Sequence, residues 1–131
     1  MSNVVTLPFR LTDQLAKEFF VHKDDADGNI WLQSGGFYPN GEPMLFLVHM
    51  DETGRATVED RGVTLTFLNR QVQEDRHLSM KKQKQLSLYG VFLDPVTGAF
   101  QLRVHRGKIA DGVHRLRLAI DALLSGKMGK A

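Results

Sequence analysis

The chain has 131 residues, 42% hydrophobic and 24% charged, with a formal net charge of +2. That is the size and balance of one globular domain able to bury its own core. It holds no cysteine, which excludes disulfides, thiolate chemistry and cysteine-ligated zinc.

Met1 to Arg10 lacks the cationic start and apolar run of a signal peptide, and the longest apolar run, Met44 to Val48, is too short to cross a bilayer. The expectation is a cytoplasmic protein with no membrane contact. Charge is unevenly distributed: residues 1–65 hold five Lys/Arg against ten Asp/Glu, and residues 66–131 hold twelve against five. Such a split marks either a basic binding surface or two faces that attract one another, within the chain or in a homodimer.

Leu11, Leu15, Ala16, Phe19 and Phe20 recur at helical spacing, so a first helix is expected over Leu11 to Val21, capped by Thr12 and preceded by a lead-in of Leu7, Pro8 and Phe9. The acidic stretch after it resembles a calcium loop only in part. Opening at Asp25, it would place Asp27 and Asn29 correctly, but Ile30 stands where the central Gly belongs and Gly36 where the bidentate Glu belongs. It reads as a turn, with no metal and no cofactor.

Ile30 to Phe37 is the first expected strand, with Ile30, Leu32 and Phe37 assigned to one side and Trp31 and Gln33 to the other. Met44 to Met50 is the most apolar strand and is placed centrally. A hairpin through Asp51-Glu52-Thr53-Gly54 returns the chain along Arg55 to Glu59. Asp60 and Gly62 then form a structural turn, Asp60 accepting from the free N–H groups of a helix that opens with Val63, Leu65, Phe67 and Leu68. Gln71 to Arg76 reads as a loop. Ser79 caps a further helix ending at Tyr89-Gly90, whose outer face carries Lys81, Lys82 and Lys84.

A second hairpin pairs Val91 to Leu93 with Ala99 to His105. Its outward side carries Arg103 and His105, with Arg106 next to them and no aromatic ring between for stacking a nucleobase. Ile109, Val113, Leu116, Ile120, Leu123 and Leu124 draw one apolar stripe along a final helix, with His114, Arg115 and Arg117 off it.

Val58-Glu59-Asp60-Arg61-Gly62 followed by a helix, and the later Tyr89-Gly90-Val91 step before a short strand, resemble domain-of-unknown-function family 1828 of bacteria and phages. The resemblance covers roughly residues 30–124, with Val-Glu standing where that family has Leu-Thr. It implies a fold and a bacterial or phage setting, and no activity.

The expected architecture is α+β: an antiparallel sheet of about five strands with helices mainly on one face, in the order αβββααββα. Residues 1–124 form the expected single domain and residues 125–131 a frayed tail. No Gly-x-Ser-x-Gly elbow and no His-Glu-x-x-His pair is present, so no catalytic residue is assigned. Three functions follow, in order of support. The first is a non-catalytic protein-binding or regulatory module, for instance an inhibitor in phage–host conflict. The second is a nucleic-acid-binding protein using Lys81, Lys82, Lys84, Arg103, Arg106, Arg115 and Arg117. The third is a metal-dependent hydrolase or nuclease drawing on Asp60, Glu59 or the histidines at 49, 77, 105 and 114.

Overall fold

Strict alternation in the strands decides the layering. In the computed structural model, which describes residues 14–24, 29–72 and 80–125, Ile30, Leu32, Met44, Phe46, Val48, Met50, Ala56, Val58, Phe100, Leu102 and Val104 all enter one buried cluster. With a side-chain period of two, the residues between them must face the other way.

The strands are β1 (Phe20–Asp24), β2 (Asn29–Phe37), β3 (Pro43–Met50), β4 (Arg55–Glu59), β5 (Phe92–Leu93) and β6 (Phe100–His105), all paired antiparallel in the order β1-β2-β3-β4-β6-β5. The helices are α1 (Val63–Val72), α2 (Met80–Ser87) and α3 (Ile109–Leu124). Leu65 and Leu68 of α1, Leu86 of α2 and Ile109, Val113, Leu116, Ile120 and Leu123 of α3 belong to the same cluster, with Leu124 partly buried against it, so the described helices pack on one face of the sheet. Among the described residues, no helix covers the opposite face. The class is α+β.

The sheet has six strands because Phe20–Asp24 is an edge strand, where the first helix was expected to run through Val21 and the acidic turn to follow it. Among the described residues of that expected helix, helical geometry holds at 14–16, and Phe19 is the last side chain of the expected stripe to be buried. Helix α1 runs two residues into the expected loop, through Gln71 and Val72. The expectations at Leu7 to Phe9, Leu11, Thr12, Asp25, Asp27, Gln73 to Ser79 and the tail beyond Ser125 lie outside the described residues.

Phe37 is a second correction. The β2–β3 register shifts between Gln33 and Phe37, where Gly35 takes φ +87°. The shift amounts to two residues, so the alternation keeps its parity: Phe37 falls on the side of Trp31 and Gln33, pairs with Pro43 and stands 63% exposed instead of joining Ile30 and Leu32. Arg117 of α3 lies along the same bulge: a Cβ on Gly36 would sit 2.9 Å from its Cγ and Cδ.

Candidate interaction surface

The turn between β4 and α1 is built around a buried carboxylate. Asp60 Oδ1 accepts from Gly62 N at 2.9 Å and from Phe100 N at 2.9 Å, while Oδ2 accepts from Thr64 N at 3.1 Å. Asp60 N in turn donates to Phe100 O at 3.1 Å. The side chain thus takes the place of the backbone carbonyl that would have closed the β4–β6 ladder, because the backbone has already turned away into the helix. Arg61 at φ +60° and Gly62 at φ +81° bring Val63 N to 3.3 Å from Asp60 O, as in a type I′ turn. Burial pushes the Asp60 carboxyl up from its usual range, and the three N–H donors and Thr64 pull it back. Both of its oxygens are engaged by the fold.

Beside it, Tyr38 OH lies 3.0 Å from Thr64 Oγ1 and the Tyr38 ring stacks on Phe67, centroids 5.8 Å apart. Burial pushes the Tyr38 phenol up to about 12. The Asp60 end of α1 is therefore a packed joint between sheet and helix.

The helix-free face of the sheet is different at its two ends. At one end Phe20, Gln33 and Leu45 lie side by side across β1, β2 and β3, next to the Phe37–Pro43 pair. Phe20 and Phe37 are each 63% exposed and Leu45 is 37% exposed. In the middle row, His22, Trp31, Leu47, Glu59, Gln101 and Phe92 follow one another across all six strands. The Arg61 guanidinium lies over the Trp31 ring at 5.9 Å, and His49 Nε2 lies 3.0 Å from Glu59 Oε2. Leu47 is buried on this face, outside the main cluster.

The other end is charged. Asp51 Oδ1 accepts from Thr53 N, Thr53 Oγ1 and Arg55 N, closing the β3–β4 loop, and Oδ2 pairs with Arg103. These bonds hold the Asp51 carboxyl well below the usual range. Around the end of β6, Arg55, Arg103, His105, Lys108, Asp111 and Arg115 line a shallow cavity of about 530 Å³. Arg115 Nε lies 3.1 Å from Asp111 Oδ2 and its Nη1 donates to Tyr89 O at 3.3 Å. Arg55 and Lys108 make no ion pair among the described residues.

The seven basic residues singled out in the sequence do not form one surface. Lys81, Lys82 and Lys84 ride on α2, Arg106 lies in the short turn before α3, and Arg117 lies against the β2 bulge. Arg103 and Arg115 share a cavity that Arg55, His105 and Lys108 complete, while Lys81 and Lys84 line a separate one on α2. Sequence reading missed Arg55 because its closeness to Arg103 depends on β4 pairing with β6, across more than forty residues. The aromatic content was missed too: the rings on the open face come from β1, β2 and β5, not from β6. Among the described residues no three His, Asp or Glu converge as a metal site would require.

No protein-family model, curated protein or solved structure matches this chain.

Proposed function

We propose that this protein is a non-catalytic protein-binding module that docks a partner on the helix-free face of its sheet. The observation that carries this reading is the group of Phe20, Phe37 and Leu45, three large apolar side chains exposed at one end of that face, Phe20 and Leu45 on either side of Gln33 and Phe37 paired with Pro43. Large apolar side chains gathered at one end of an exposed face favour burial against another protein surface. A bacterial or phage setting, as the resemblance to family 1828 implies, is part of the same proposal. The second copy of a homodimer is one candidate occupant.

The test is site-specific photo-crosslinking in the host lysate, with benzoylphenylalanine at position 45 and a control at Val96, which is exposed on the β5–β6 turn. A discrete crosslinked protein from position 45, absent at 96 and lost in a Phe20→Glu variant, is the expected result. Equal labelling from both positions would overturn the reading. Sedimentation equilibrium on the pure protein tells whether the partner is another copy.

A nucleic-acid reading is favoured by one observation, the four cations lining the cavity at the end of β6 against a single lining acid. Against it, Phe20, Phe37 and Leu45 stand at the opposite end of the strands, and a single-strand reader needs rings and cations interleaved. Anisotropy of labelled DNA and RNA across a salt series checks it, because phosphate contacts make affinity fall steeply with salt.

A further inference from the structure

The same end of the sheet has an open edge. Strand β5 pairs with β6 only at Gln101 and Phe100, so from Leu102 to His105 β6 has no outer neighbour among the described residues. The register shows which groups are left over. Asp60 N donates to Phe100 O, so residues 100, 102 and 104 direct their backbone toward β4, and 101, 103 and 105 direct theirs outward. Gln101 meets Phe92 of β5. Arg103 therefore presents its N–H and C=O, and His105 its N–H, along an edge with no strand partner among the described residues, the His105 carbonyl being taken by the short turn Arg106–Lys108.

That edge runs beside the cavity of Arg55, Arg103, His105, Lys108, Asp111 and Arg115. Its four permanent cations face two acids, Asp111 within it and Asp51 on Arg103, which leaves a net positive wall. Donors and acceptors alternating at strand spacing call for a ligand that offers both. A polypeptide backbone does so, whereas a phosphodiester only accepts, and no Phe, Tyr or Trp lines the cavity to stack a base.

We infer that the outer edge of β6 binds an extended acidic peptide segment, which adds as a further strand along Arg103 and His105 while its carboxylates meet Arg55, Lys108 and Arg115. This surface is distinct from the apolar patch at the other end of the sheet, so either site can fail alone.

The experiment is fluorescence anisotropy on the full chain with a labelled octapeptide of alternating Thr and Glu. The comparisons are the same peptide N-methylated at alternate residues, an alternating Thr and Lys peptide, and octadeoxythymidylate. The acidic peptide is expected to bind saturably, with affinity falling about tenfold on N-methylation and about tenfold in an Arg55→Ala/Lys108→Ala variant. A Phe20→Glu/Leu45→Glu variant is expected to bind it unchanged. Amide resonances of Arg103 and His105 are expected to shift and exchange more slowly. No binding, equal binding of the N-methylated peptide, preference for the oligonucleotide, or loss of binding in the Phe20→Glu/Leu45→Glu variant would each overturn the inference.

Discussion

Replacing Asp60 by alanine tests whether the β4–α1 turn is a joint of the fold. The carboxylate accepts three backbone N–H groups, and those of Thr64 and Phe100 are buried. A buried donor left without a partner costs about 1–3 kcal/mol, so the two buried ones together cost about 2–6 kcal/mol. The variant also escapes the desolvation of a buried carboxyl, which raises the Asp60 pKa and offsets part of that loss. A net destabilisation of about 3 kcal/mol is expected, a large part of the roughly 5–15 kcal/mol available to a domain. In urea the midpoint should fall by about 2 M at an unchanged slope. Asp60→Asn keeps one oxygen to accept from Gly62 N and Phe100 N but turns an amide toward Thr64 N, and should fall between wild type and alanine. If both variants unfold within about 1 kcal/mol of wild type, the carboxylate does not hold this turn, and the account of the β4–α1 joint fails.

Gly112→Ala opposes two effects: alanine favours a helix interior by about 1 kcal/mol, but its Cβ would lie 2.9 Å from Leu102 Cδ1 and 3.1 Å from Val104 Cγ1. Overpacking is expected to win, lowering stability by about 1–3 kcal/mol in a urea titration; a rise would show that the sheet yields there. The Tyr38 phenol, raised above its ordinary value to about 12, favours the folded state below pH ~10, and that contribution is lost as pH climbs toward 12. Tyr38→Phe should lower stability at neutral pH by about 1 kcal/mol by removing the buried hydrogen bond between Tyr38 and Thr64, and should flatten the alkaline loss. For Asp51 the sign is reversed: its lowered pKa gives stability that is present above the usual carboxylate range and is lost as pH falls through it. Thermal melts of Asp51→Asn should therefore depend less on acid pH than those of wild type, and parallel curves would contradict the role given to the Asp51 bonds.

Much of the frame could be read locally. The stripe from Ile109 to Leu124 marks a helix with one buried side, and α3 has those bounds. The apolar strand Met44 to Met50 lies inside the sheet, and the hairpin at Asp51 to Gly54 closes with Gly54 at φ +85°. Each depends on neighbours within a few residues. Phe20 failed for the same reason: helical spacing placed it in a stripe, but pairing with Gln33 draws it into a strand and turns its ring outward. Nothing local distinguishes the two outcomes, since the decision lies with a strand partner more than ten residues away.

By itself the sequence determined the class, the turns and most of the buried residues, because periodicity and turn chemistry act over a few positions. Tertiary structure alone decided which side chains meet at a surface. Pairing of β1 with β2 brings Phe20 to the open face beside Gln33, β4 pairing with β6 brings Arg55 beside Arg103, and α3 brings Lys108 and Arg115 to the same cavity. Those meetings depend on long-range register, and shifting a strand by one residue would send every one of its side chains to the other face.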